Sequence, residues 1–135
     1  MPARQRGLSL IELLLVVTVV GMLAGIAYPS YSDQVRRAAR AEAIGMLHDS
    51  ALRLERHYAL AGQYADSEAA VTPLPLGSRY YGLAAERGGQ HFRLIARRLP
   101  GALMEQDRCG DLSLDQAGVQ GNLGASGDTS GCWAG

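Results

Sequence analysis

The chain contains no lysine, and all 13 of its basic residues are arginine. Schiff-base and lysine general-base chemistry are thereby excluded. Phe and Trp occur once each, beside six Tyr. The 13 acidic residues cancel the arginines, so no global field selects nucleic acid or an acidic surface, and only a local patch would do so. Among 135 residues there is room for one domain and its flanks. The sequence shows no Ser-His-Asp grouping, cofactor loop or metal spacing, so a non-enzyme without cofactor or metal is expected. His48 and His57 are about two and a half helical turns apart, too far to chelate one ion. Asp107, Asp111, Asp115 and Asp128 form no EF-hand type loop. Gly121, Gly124, Gly127 and Gly131 lack the lysine and following helix of a phosphate loop.

Charge is missing most conspicuously from Leu13 to Ser32, an uncharged and largely apolar stretch. Read as a helix from Leu8 to Tyr28, the run is about 30 Å long, one hydrocarbon thickness. Arg4 and Arg6 precede it without an acid, which keeps the start of the chain on the cytoplasmic side. A cleavable signal peptide competes with this reading, since Gly25-Ile26-Ala27 offers small residues for cleavage after Ala27. Glu12 argues against a disposable signal, because an ionisable group well inside a bilayer costs about 2.5–3.5 kcal/mol. Ser9 and Glu12 also have the spacing of a helix capping box.

The whole N-terminal string is more specific than any of its parts. A short basic leader, Gly7, a hydrophobic residue, Leu10-Ile11-Glu12-Leu13 and an unbroken apolar stretch resemble the class III signal of type IV prepilins and pseudopilins. Gly21, Pro29 and Tyr31 sit where pilins carry a glycine, a kinking proline and a tyrosine. The resemblance implies cleavage by prepilin peptidase between Gly7 and Leu8, with methylation of the new Leu8 amine. Leu8 departs from the Phe most common at that position. It also implies that Glu12 pairs with the N-terminal amine of a neighbouring subunit, in keeping with the need of a carboxylate in apolar surroundings for a cationic partner. Residues 1–7 would then be a cytoplasmic leader, residues 8–32 a transmembrane and filament-core helix, and residues 33–135 a periplasmic head.

Pro29 removes one hydrogen bond and should kink the helix, with Gly21 and Gly25 loosening the turns before it. Beyond it, Ile44, Leu47, Ala51, Leu54 and Tyr58 follow the alternating three-four spacing of a buried stripe. Arg36, Arg37, Arg40, Glu42, Asp49, Arg53, Glu55 and Arg56 are expected mostly on the solvated side. The helix should end near Leu60 to Gly62.

In the head, Thr72-Pro73-Leu74-Pro75-Leu76-Gly77 excludes helix and central strand. Strands are expected at Tyr80 to Ala84, His91 to Leu99 and Asp111 to Asp115, with a hairpin turn at Gly88-Gly89 and a further turn into Val119-Gln120. The fold class expected is α+β, a long N-terminal helix whose second half packs on a small antiparallel sheet. In an exported chain, Cys109 and Cys132 read as one disulfide, which would contribute about 3.5 kcal/mol in the chain-entropy account. The tail from Cys109 to Cys132-Trp133 resembles the C-terminal region of type IVa pilins and their minor pilins.

The leading expectation is therefore a structural subunit, a minor pilin, of a type IV pilus used in pilus biogenesis, twitching motility, adhesion or DNA uptake. The resemblance implies as partners other pilins, prepilin peptidase, the inner membrane, and an assembly platform with its motor ATPase. It implies a bacterial inner-membrane precursor that passes through the periplasm to an extracellular pilus. Two alternatives stay open. One is a type II secretion pseudopilin. The other is a DNA-binding pilin, in which Arg79, Arg87, Arg93, Arg97 and Arg98 line up on phosphates, Arg93 and Arg97 foremost.

Overall fold

The computed structural model describes residues 6–134, so Arg4 of the leader lies outside the described residues. The chain divides into two compact units, Met1–Val35 and Arg36–Gly135. One helix, α1 (Leu10–Ala61), contributes to both.

In the first unit α1 presents apolar side chains on every side. Leu10, Ile11, Leu14, Val17, Val20, Leu23 and Ile26 are all exposed. A helix apolar all round needs a non-aqueous surrounding, and by length and composition this stretch is able to cross a membrane. Helical structure continues through Gly21 and Pro29.

The second unit is a helix packed on a four-stranded antiparallel sheet, the α+β architecture expected. Strands β1 (Tyr81–Arg87), β2 (Phe92–Arg98), β3 (Asp111–Asp115) and β4 (Gln120–Leu123) follow one another in spatial as in sequence order. The ladder pairs Leu83 with Ala96, Leu94 with Leu114, and Leu112 with Asn122. Because side chains alternate across a strand, Phe92, Leu94 and Ala96 of β2 and Leu112 and Leu114 of β3 share the inner face. They meet Ala39, Ala43, Leu47 and Leu54 of α1 in one core, joined by Tyr64, Tyr81 and Met104. Full burial of a leucine such as Leu47 or Leu94 contributes about 1.5–3 kcal/mol. The phenol of Tyr81 is buried in this core without a hydrogen bond. Burial first, and then the Asp107 charge, push its pKa up to about 12.

The local chemistry explains where elements stop. Gly62 follows α1 at φ 72°, and its N–H donates to Tyr58 O at 2.8 Å. This left-handed cap is favourable for glycine, which has no Cβ to strain. Between β3 and β4, Asp115 Oδ1 accepts from Ala117 N and Val119 N, both at 2.9 Å, while Gly118 takes φ 75°. That side-chain turn drives the chain into β4, extending the expected Val119-Gln120 segment to Leu123.

Three expectations need correction. The stripe of α1 is centred on Ala43, Leu47, Ser50, Leu54 and His57, with Ile44, Ala51 and Tyr58 half-buried beside it. Arg40, expected on the solvated side, is 7% exposed. Counting back four from Leu47 reaches Ala43 and three more reaches Arg40, so the arginine lies in phase with the core. Strand β1 runs to Arg87, because its partner β2 offers a register for every residue up to Phe92.

Candidate functional site

At the N-terminal end, Gly7 and Leu8 precede the helix and are exposed. The amide of Glu12 donates to Ser9 Oγ at 3.2 Å, and Leu13 N to Ser9 O at 3.1 Å. Ser9 therefore acts as the N-cap. Only half of a capping box is formed, since the Glu12 carboxylate makes no hydrogen bond among the described residues. A carboxylate thus stands on an apolar helix with its acceptor capacity unused. Its complement would be a cation or a donor that is not among the described residues.

In the head, the arginines fall into two groups. Several are spent on structure. Arg40 Nη1 donates to Asp107 Oδ1 at 2.8 Å, and Arg36 lies 4.0 Å from the same oxygen. Arg98 bonds Asp111 Oδ1 at 3.0 Å and the carbonyls of Glu105 and Asp107. Arg87 bonds Tyr64 O at 2.7 Å, Asp66 Oδ2 at 2.8 Å and Thr72 O at 3.1 Å. Arg87 and Arg98 are therefore tied into the framework.

Arg93 and Arg97 of β2 are exposed on the face of the sheet opposite the core. Arg93 stands across the ladder from Glu86 of β1 and Asp115 of β3, so an acidic residue flanks it on each neighbouring strand. Arg97 stands opposite Gly82, which has no side chain to cover it. Arg79 lies beside the same end of β1, its guanidinium 5.3 Å from the centroid of the Tyr80 ring. The stripe of five arginines expected from sequence is thus reduced to Arg97, Arg79 and the acid-flanked Arg93. Between Arg93 and Arg97, Ile95 points outward yet is 5% exposed.

The disulfide joins Cys109 to Cys132. Arg108, just before the loop that the disulfide closes, donates from Nη1 to Asp128 O at 2.6 Å, and within the loop Asn122 Nδ2 donates to Cys109 O at 2.9 Å. These bonds hold a glycine-rich segment that would otherwise be entropically costly to order. Trp133 returns to α1, edge-on to His48 with ring centroids 6.4 Å apart.

At the other end of the head, His57 latches the loop after α1. Its Nε2 lies 3.0 Å from Ala65 O and must donate there, while Nδ1 lies 2.9 Å from Thr72 Oγ1. Asp66 Oδ1 accepts from Thr72 N at 2.9 Å. That bond, with the Arg87 guanidinium, holds the Asp66 carboxyl below its ordinary 3.8, against the opposing effect of burial. A carboxyl depressed by folding contributes stability that is present above its unfolded value and lost as pH falls through its folded one. Protection of the Thr72 amide, the slowing of its exchange relative to the unstructured chain, should therefore fall as pH drops below about 3.8 in the native chain, and Asp66→Asn should be less protected at neutral pH with a protection that acid does not change. Identical acid profiles in the two proteins would refute this account of the latch.

Comparison with known proteins adds to this geometry. Residues 29–113, well over half of the chain, match the family described as "Type IV minor pilin ComP, DNA uptake sequence receptor". Residues 2–28 match the prokaryotic N-terminal methylation motif. Fimbrial protein EcpC of Eikenella corrodens is 34% identical over 77 residues, 56% of this chain and 50% of that protein. The type IV major pilin PilE1 of Neisseria gonorrhoeae is 35% identical over 63 residues, 47% of this chain and 38% of that one. The chain spans half or less of the length of these curated relatives. Among solved structures, the non-core minor pilin PilV of Neisseria meningitidis is similar in fold, with a TM-score of 0.57 at 20% identity. That match covers 73% of this chain and 96% of the PilV chain.

Proposed function

This chain belongs to the family of the type IV minor pilin ComP, DNA uptake sequence receptor, and from that premise we propose that it is a pilus subunit whose head contacts DNA. The observation that carries the proposal is the family match, which covers the head from α1 into β3. Two features support it. The N-terminal methylation motif spans Gly7, Leu8 and Glu12, and exposed arginines stand on a sheet face that the core does not use.

In this reading the precursor enters the inner membrane with residues 8–32 and loses residues 1–7 to prepilin peptidase. It is methylated at Leu8 and joins other pilins through the assembly platform and motor ATPase. Glu12 accepts the amine of a neighbouring subunit during that step, and Gly21 and Pro29 mark where the helix yields in the packed fibre. The exposed head then meets DNA outside the cell. Arginine is suited to this work because its planar guanidinium forms paired hydrogen bonds with phosphate oxygens. A head whose arginines and acids cancel exerts little long-range attraction, so contact depends on where uncompensated guanidinium groups stand. Arg97 and Arg79 meet that condition better than Arg93.

The test is the salt dependence of duplex binding by the soluble head, which contains its entire hydrophobic core. Binding should weaken linearly in log salt, and each phosphate contact removed should flatten the slope by about 0.9. Arg97→Ala should give that change, Arg79→Ala with it should double the change, and Arg93→Ala should give less. No duplex binding by the intact head at low salt would overturn the proposal, and so would an unchanged slope in the double variant.

A further inference from the structure

A second set of arginines converges away from the outer sheet face. Arg37, Arg40 and Arg108, with Ser130, Gly131 and Ala134, line a cleft of about 440 Å³. Arg37 and Arg40 come from the first turns of α1 within the head, Arg108 from the loop before β3, and the remaining residues from the disulfide loop and the segment beyond it.

A guanidinium carries five N–H donors in a rigid fork. Arg37 is exposed and makes no hydrogen bond or ion pair among the described residues. Arg40, its side chain 9% exposed, spends one donor on Asp107 and keeps the others. Arg108 donates to the carbonyls of Asp128 and Ser130. These neutral acceptors fix the plane of the guanidinium without cancelling its charge. Arg36 adds a fourth cation, 4.0 Å from Asp107. The acids nearby include Asp33, one helical turn before Arg37, together with Asp107 and Asp128, and Asp128 is engaged by Ser130 N at 2.9 Å and by the Ser130 hydroxyl. Three arginines therefore line a concave space with unspent donors, while Arg36, bonded to Leu103 O at 3.2 Å, stands behind them beside Asp107. That arrangement is complementary to a tetrahedral oxyanion.

The position of these arginines in the chain selects the source of the anion. Leu13 to Ser32 is free of charge, and Arg36, Arg37 and Arg40 are the first cations after it. In a membrane-spanning chain, the residues that follow the apolar run meet the headgroup layer. We propose that the cleft between the start of the head's helix and the disulfide loop binds the phosphate of an anionic phospholipid headgroup while the chain resides in the membrane. This inference rests on the membrane-anchored part of the proposed function and is independent of DNA binding.

Trp133, the one tryptophan of the chain, lies between Ala134 and the disulfide and reports on the site. The full chain in neutral maltoside micelles should show a saturable change in Trp133 fluorescence when short-chain phosphatidylglycerol is added. Phosphatidylcholine should give a response at least fivefold weaker. Arg37→Gln, a change at an exposed side chain without a partner, should weaken phosphatidylglycerol binding at least fivefold, and Arg108→Gln should do the same. Arg97→Gln should leave it unchanged.

Absence of a saturable phosphatidylglycerol response from the folded chain would overturn the proposal. Equal weakening by Arg97→Gln would also overturn it, by reducing the effect to surface charge. Inorganic phosphate that saturates at the same concentration would make free phosphate the ligand and refute the lipid assignment. Loss of duplex DNA binding by Arg37→Gln, matching its loss of lipid, would reassign the cleft to the DNA interface. A chain that binds phosphatidylglycerol yet never enters filaments would leave this inference standing and refute the pilus reading instead.

Discussion

Replacing Asp107 by Ala should destabilise the head by about 3–5 kcal/mol, because it strands a buried arginine without its counter-charge. Asp107 is 3% exposed and Arg40 7% exposed, and their contact at 2.8 Å joins α1 to the loop before β3. The same carboxylate accepts from Cys109 N at 3.3 Å, so its loss also loosens the first cysteine of the disulfide loop. Urea unfolding of the soluble head measures the effect. Replacing both partners with apolar residues, Arg40→Met with Asp107→Leu, should recover most of the loss, since a buried pair is worth little against a well-packed apolar substitute. A loss below about 1 kcal/mol for Asp107→Ala would mean that the pair does not pin the loop.

Replacing Glu12 by Ala should leave membrane insertion intact and reduce incorporation into filaments at least tenfold. Insertion should improve slightly, because an acid inside the bilayer costs about 2.5–3.5 kcal/mol on insertion scales. Assembly should suffer because Ser9 already caps the Glu12 amide while the carboxylate is left without a hydrogen bond among the described residues. The group is thus poorly explained by helix capping and well suited to a cation brought by another subunit. Quantifying the chain in the membrane fraction and in sheared filaments separates the two outcomes. Glu12→Ala chains that enter filaments at the native level would refute the assembly role of this residue.

Much of the architecture was legible in the chain because it rests on short-range chemistry. The apolar run, the basic leader and Glu12 announce a membrane helix with one anomalous acid. Gly62 ends that helix where an Ala-Gly pair suggested it, and Asp111 to Asp115 forms the strand that its alternation implied. The arginine stripe was less legible. Alternation along β2 places Arg93 and Arg97 outside, but only the pairing of strands sets Glu86 and Asp115 beside Arg93 and Gly82 beside Arg97. Arg87 and Arg98 looked equally available, and their hydrogen bonds to Asp66 and Asp111 depend on loops brought together by the fold.

The chain by itself determined which segment leaves water, where its single acid sits and which stretches become helix and strand. Those properties follow from periodicity and from the cost of burying charge, and both act over a few neighbouring residues. Tertiary structure alone decided which arginines are spent and which remain available. It placed Arg40 against Asp107, gathered Arg37, Arg40 and Arg108 around one cleft, and left Arg97 uncovered. The physical reason is that the field at a charge is set by whatever the fold brings within a few ångströms of it, and those neighbours come from segments far apart in sequence.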